Sequence, residues 1–188
     1  MTDDFEDLPA EAIVPAYDAE TLREIYDDVA AARARAEELC TDVLAAEDTT
    51  AELLARTDLV DLLLGLGELD EALTAAQQAA DRADMAGTAA QQHLARIRLA
   101  RAYQYAGDYG QANAVFTELA HAAGQFGPVI EAFTAQAIGG NDYDQGHFAE
   151  ARERFARALA VREQYELPEH QIEQSRVSLA AAIRKDEA

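Results

Sequence analysis

Asp142-Tyr-Asp144-Gln-Gly146, followed by Glu153 eleven residues after Asp142, has the oxygen-rich look of a calcium loop. An EF-hand loop needs glycine at its sixth position and an oxygen ligand at its fifth. Here Gly146 stands fifth and His147 sixth, so the stretch reads as a helix end with solvated carboxylates, and no metal is expected. His93, His121, His147 and His170 are scattered, with no two-histidine helical metal pair and no evident nucleophile beside any of them. Each is expected at the surface. Cys40 is the only cysteine, which excludes an intramolecular disulfide and a cysteine-based metal site. Glu38, Thr41 and Asp42 around it supply no cation to lower its pKa, so it reads as a small buried or half-buried residue. No glycine-rich phosphate loop occurs. These groups do not assemble into a catalytic set; the expectation is a non-enzyme with no cofactor.

The remaining charged chemistry belongs to arginine, since Lys185 is the sole lysine. Arg96, Arg98 and Arg101 form one run, and Arg152, Arg154, Arg157 and Arg162 form another. Both fit salt-bridged helix surface. The sharper reading is a seat for acidic segments, because the guanidinium fork binds carboxylates bidentately. The chain as a whole carries a formal charge of −21. That surface repels phosphate backbones and anionic membranes, so neither nucleic acid nor membrane is an expected partner. No basic start precedes an apolar run, and no stretch approaches the ~18 apolar residues of a membrane span. A cytoplasmic protein is expected.

The elements that must hold these residues repeat. Gly67-Glu-Leu69-Asp-Glu-Ala72 returns as Gly107-Asp-Tyr109-Gly-Gln-Ala112 and as Gly146-His-Phe148-Ala-Glu-Ala151, at spacings of 40 and 39 residues. A turn glycine, then a large apolar residue, then an alanine, feeds a tightly packed helix. Helix starts mark the same period independently, at Thr49 or Thr50, Thr88, Pro128 and Pro168, proline being favoured in the first helical turn. A period of this length means stacked supersecondary units. Three units span 49–86, 88–126 and 128–166, each a helix A, a glycine turn and a helix B. A capping helix over 19–46 precedes them, with Leu22, Ile25, Tyr26, Val29, Ala32, Ala36, Leu39 and Val43 at steps of three and four. A second cap spans 168–185. Residues 1–17, acidic and interrupted by Pro9 and Pro15, read as a flexible tail, and 18–188 as one helical domain. Gly139-Gly140-Asn141 lowers helix propensity and predicts fraying or a kink.

Leu99-Ala100…Tyr103…Gly107-Asp-Tyr109…Ala112…Phe116 and Ile138-Gly139…Gly146-His-Phe148…Ala151…Phe155-Ala-Arg-Ala158 resemble the tetratricopeptide repeat (TPR). The match covers roughly 49–185, in a variant about six residues longer than the usual repeat, like those of kinesin light chains and bacterial regulatory proteins. The early aromatic of helix A is replaced by Arg56, Arg96 and Ala135. The proline that ends helix B in the family is missing. The resemblance implies an all-α, right-handed solenoid of antiparallel helix pairs. It implies Gly139 as a close-packing site and a concave face built from helices A, lined by Leu94, Ile97, Arg101, Gln104, Tyr105, Phe133, Gln136 and Tyr143. Thr57, Ile97 and Gln136 stand where the family's carboxylate clamp begins, so a chaperone-tail clamp is not expected. Leu94, Ile97, Tyr105, Phe133 and Tyr143 would expose an apolar patch of the kind that marks an interaction surface. The expected function is a non-catalytic scaffold that binds a protein or peptide segment in this groove. The alternative is a self-associating structural protein, a homodimer over the same surface. A third expectation is that the acidic tail, with Phe5, Leu8 and Ile13, occupies the groove in cis.

Overall fold

Each turn glycine closes its helix in the same way. In the computed structural model, which describes residues 15–187, Gly67, Gly107 and Gly146 have φ of 73°, 79° and 79°. A side chain would clash with the carbonyl in that left-handed conformation. The following N–H groups then reach back, Glu68 to the Leu63 carbonyl, Asp108 to Tyr103 and His147 to Asp142. This is the Schellman arrangement, which satisfies carbonyls a helix end would leave bare. A fourth copy ends on Glu166 (φ 50°) rather than glycine, with Leu167 donating to Arg162.

The helices among the described residues are eight: α1 (Val29–Ala45), α2 (Thr49–Leu66), α3 (Leu69–Ala86), α4 (Ala89–Tyr105), α5 (Tyr109–Ala122), α6 (Pro128–Asp144), α7 (Phe148–Gln164) and α8 (Glu169–Asp186). A 3-10 turn, Ala123–Phe126, follows α5. Starts are capped locally. Thr88 and Gln91 form a reciprocal capping box at α4, and Pro128 opens α6. Consecutive helices pack against one another, and α2, α4, α6 and α8 also touch laterally. The result is an all-α, solenoid-like stack.

Alanine sets the spacing of the stack. Ala72, Ala112 and Ala151, five residues past each turn glycine, are fully buried, as are Ala76, Ala79, Ala83 and Ala158. With only a methyl group at these points the helix axes approach closely, and larger side chains fill the gaps beside them. Phe116 lies in a cluster with Ile97, Ala100, Leu119, Ala137 and Ile138, reaching from α5 to α4 and α6. Phe155 joins Tyr143, Ala151, Ala181, Ala182 and Leu22.

Several sequence expectations give way here. The helix expected over 19–46 begins only at Val29. Before it, β1 (Ala16–Tyr17) and β2 (Glu24–Ile25) pair antiparallel, Ala16 with Ile25 and Tyr17 with Glu24. Asp18 is the local cause: its Oδ1 accepts from the backbone N–H groups of Glu20 and Thr21 and from the Thr21 hydroxyl. Aspartate offering such bonds competes with a helix. The helical-looking spacing of Leu22, Ile25 and Val29 is not one face, for Leu22 is buried while Ile25 and Val29 are exposed. The tail expected over 1–17 thus ends in a strand; its residues 1–14, with Phe5, Leu8 and Ile13, lie outside the described residues. The break expected at Gly139-Gly140-Asn141 is absent, because tertiary packing overrides propensity. Helix α6 runs through it, and buried Asn141 donates to Asn113 Oδ1 at 2.6 Å. Cys40 is exposed rather than buried; α1 packs chiefly on α2 and leaves that side open.

His93 also departs from its expected surface position. It is buried, its ring 4.9 Å from that of Phe126. The Thr134 hydroxyl donates to the Ile130 carbonyl at 2.7 Å, so it accepts from His93 Nε2 at 2.9 Å. Burial holds the imidazole pKa below its ordinary value. As pH falls, the unfolded chain takes up the proton first. The stability is therefore present above the ordinary histidine range and is lost as pH drops from there through the folded value. Between pH 7.5 and 5.5 the wild type should lose more free energy of unfolding than His93→Gln, by at most about 1.4 kcal/mol per pH unit. Equal losses would show that burial does not shift His93.

Ion pairs tie the arginines to the acidic surface, including Arg96–Asp84 at 3.1 Å, Arg82–Glu52 at 2.7 Å and Arg152–Asp186 at 2.6 Å. The charge of −21 still leaves a large surplus. Raising sodium chloride to about 1 M shrinks the screening length to about 3 Å. The melting temperature should then rise, and a flat or falling curve would show that self-repulsion is not limiting.

Candidate functional site

Helices α2, α4, α6 and α8 supply one inner face, and the hairpin 16–25 lies across all four. On α8, Ser178 Oγ and the Tyr17 hydroxyl are 3.0 Å apart. On α6, Tyr143 donates its hydroxyl hydrogen to the Glu20 carbonyl at 3.2 Å, and Asp144 pairs with Arg23. The Arg23 guanidinium also lies 3.6 Å from the centre of the Tyr105 ring on α4, a cation–π contact. Glu24 accepts from Arg101 of α4 at 3.2 Å and from Gln174 of α8 at 3.4 Å. At the root, Tyr26 rests where α2 has glycine. A Cβ on Gly65 would come within 2.5 Å of the Tyr26 ring and 3.4 Å of the Glu24 carbonyl oxygen. Glycine inside a helix costs about 1 kcal/mol relative to alanine, and here it admits the hairpin.

Beneath the hairpin the face is polar to an unusual depth. Arg101 and Arg98 share Asp61, at 2.8 and 3.1 Å. Burial works against the Arg101 charge, but Glu24, Tyr105 and Asp61 more than offset it and hold its pKa well above the ordinary value. Asp144 takes a hydrogen bond from Gln104 at 2.7 Å. Burial raises its carboxyl pKa despite Gln104 and Arg23, which pull the other way. Behind them runs a chain of hydrogen bonds. Arg162 donates to Ser175 at 2.9 Å, Ser175 to Gln136 at 2.8 Å, and Gln136 to Ser178 at 2.8 Å. Arg162 is almost wholly enclosed, and its other acceptors are the Gln171 carbonyl and Gln174 Oε1. Burial lowers its pKa to about 10, which leaves it charged at neutral pH. A cavity of about 40 Å³ remains between hairpin and helices, bordered by Glu24, Arg101, Gln136, Gly140 and Gln174.

The sequence-derived groove residues divide sharply. Arg101, Gln104, Tyr105, Gln136 and Tyr143 all meet at this site, as hydrogen-bond or ring contacts to the hairpin or to the residues that hold it. Phe133 borders the cavity and carries Arg98 over its ring at 4.9 Å. Leu94 is half-buried against the Phe116 cluster. Ile97 is core, fully enclosed in that cluster. The apolar patch expected from Leu94, Ile97, Tyr105, Phe133 and Tyr143 is therefore not an open surface: Ile97 and Tyr143 are buried, and the hairpin covers Tyr105. Sequence reasoning missed Tyr17, Arg23 and Glu24, which were assigned to tail and helix. It also missed Ser175, Ser178 and Gln174, which looked like ordinary cap-helix residues. Gly65, a glycine within a leucine-rich helix, was the signal that another backbone approaches there.

In the Asp142–Gly146 stretch the Asp144 carboxylate is taken by Arg23 and Gln104. Among the described residues no cluster of three or more His, Cys, Asp or Glu side chains has metal-binding geometry, and no helix is long and apolar enough to cross a membrane.

No family model matches the sequence, and no curated protein matches it. A solved structure does: the crystal structure of BtubC (BKLC) from P. vanneervenii is similar at a TM-score of 0.60 and 19% identity, over 86% of this chain and 67% of that one. At that identity the likeness concerns the fold, an all-helical repeat arrangement.

Proposed function

We propose that this chain is a TPR-type binding module, non-catalytic, that takes an extended segment of a protein partner on the face formed by α2, α4, α6 and α8. The observation that carries this reading is that the face already grips a non-helical stretch of chain, through side chains of α4, α6 and α8, one of them bonded to the main-chain carbonyl of Glu20, and through the close approach allowed by Gly65 of α2. Such a face needs no reactive group. It needs directional donors and acceptors together with aromatic rings, which Arg101, Tyr105, Gln136 and Tyr143 supply. A 39- to 40-residue glycine-turn period with left-handed turn glycines supports the TPR assignment.

The test is capture of partners from the source cell by the full chain, comparing wild type with Arg101→Gln and Tyr105→Ala. A partner held by the wild type should be lost from both variants. If every captured protein survives both substitutions, binding does not use this face. Self-association over the same lining has less to support it, since Ile97 and Tyr143 are enclosed within the chain. Light scattering at micromolar concentration separates the two readings.

A further inference from the structure

The hairpin fits its seat without being part of the stack. It is two residue pairs long, and an isolated two-stranded ribbon of that size is marginal in water. Its hold on the helices combines one apolar anchor, Leu22 in the Phe155 cluster, with side-chain bonds: Tyr17 to Ser178, Arg23 to Asp144, Glu24 to Arg101 and Gln174. The fit is imperfect. Leu22 sits at a φ of 55°, a left-handed conformation that costs a non-glycine residue energy. Arg23 Nη1 is buried with no hydrogen-bond partner, a desolvated donor left unpaired.

The seat has a definite chemical demand. In a chain of −21 overall charge, Arg98 and Arg101 share the single carboxylate of Asp61. Arg162, enclosed behind Ser175, has neutral acceptors only. The site therefore carries surplus positive charge next to Gln174. One turn of helix further along α4, the Tyr105 ring, together with Asp144 at the end of α6, demands a cation. Glu24, the first residue of β2, and Arg23 just before it meet both demands at once.

We propose that the hairpin is a built-in competitor for the groove, and that the groove's ligand is an extended partner segment carrying an acidic side chain beside a basic one. The acid takes the place of Glu24 on Arg101 and Gln174. The base takes the place of Arg23 over Tyr105 and against Asp144. The proposal rests on the reading of this face as a peptide-binding site. Closure by the hairpin lowers the apparent affinity for any ligand by the fraction of molecules with the groove open.

A fluorescein-labelled peptide of residues 15–25, which stops short of Tyr26 and so avoids the ring that a Gly65 Cβ would meet, serves as the probe, followed by fluorescence anisotropy against full-length proteins. Two variants open the groove independently. Tyr17→Ala/Arg23→Ala/Glu24→Ala weakens the hairpin, and Gly65→Ala unseats its root through the Tyr26 ring. Each should bind the probe at least about tenfold more tightly than the wild type, the gain set by the open fraction. Adding Arg101→Gln should abolish that gain, with Asp61 still held by Arg98; so should a probe carrying Glu24→Gln. Equal affinity for wild type and both opened variants would overturn the competitor role while leaving the groove a binding face. No binding to any of the three would overturn the groove reading itself.

Discussion

Phe155→Ala lowers the free energy of unfolding by about 3–5 kcal/mol, and Phe116→Ala does the same. Both rings are at most 3% exposed and sit at the junctions between helix pairs. Phe116 bridges α4, α5 and α6. Phe155 bridges α6, α7 and α8 and reaches the hairpin through Leu22. The alanines around them explain the size of the effect. Ala112, Ala151 and Ala158 have no side chain to swing into a vacated space, so a cavity left by either ring stays open, and cavity volume adds to the lost transfer energy. Against a typical total of about 5–15 kcal/mol, either loss brings the fold near its limit. Urea unfolding measures it, provided the slope with denaturant is unchanged. A loss under about 1 kcal/mol would mean that the stack closes over the gap, and that alanine spacing does not fix the helix separation.

The period of the stack was legible because turn glycines and helix starts are local signals. A left-handed residue at Gly67, Gly107 and Gly146 is dictated by the few residues around it, and so is the cap at Thr88. What covers the inner face was not legible, for a physical reason. The strand pairing of Tyr17 with Glu24 depends on what those residues meet on α4 and α8, far away in sequence. Helical spacing in 22–29 was the only nearby pattern, and Asp18 outweighs it by capping its own backbone. The groove residues show the same split. The repeat brought Arg101, Tyr105 and Tyr143 to one face, but it could not say that Ile97 turns into the Phe116 cluster, because that depends on Phe116, Ala137 and Ile138 from the next two helices. His93 was misjudged because its partner, Thr134, lies one repeat further on.

The two neighbouring glycines of α6 should answer oppositely to the same substitution. By helix propensity alone, alanine gains up to about 1 kcal/mol over glycine at either position. At Gly139 the new Cβ would lie 2.7 and 2.8 Å from two Phe155 ring carbons and 3.1 Å from Arg154 Cβ. The ring is fully enclosed and cannot turn aside, and Arg154 Cβ moves only if α7 backs away. Overpacking of that kind costs about 1–3 kcal/mol, which exceeds the propensity gain, so Gly139→Ala destabilises. At Gly140 the nearest atom to a new Cβ is Gln104 Nε2 at 3.6 Å, an ordinary contact. Propensity then decides, and Gly140→Ala stabilises. Pairing Gly139→Ala with Phe155→Leu should recover part of the loss, because residues in contact do not add independently. If both glycine variants shift stability in the same direction, the close approach of α7 to α6 at Phe155 is not what keeps residue 139 small. Gly140 carries a further consequence, because it borders the cavity beside Arg101 and Gln136. A methyl group there stiffens α6 while narrowing the cavity that the proposed ligand's carboxylate would share with Arg101. Gly140→Ala should therefore strengthen the fold and weaken probe binding to the opened groove, whereas an unchanged probe affinity would show that the cavity beside Arg101 is not where the proposed ligand's carboxylate sits.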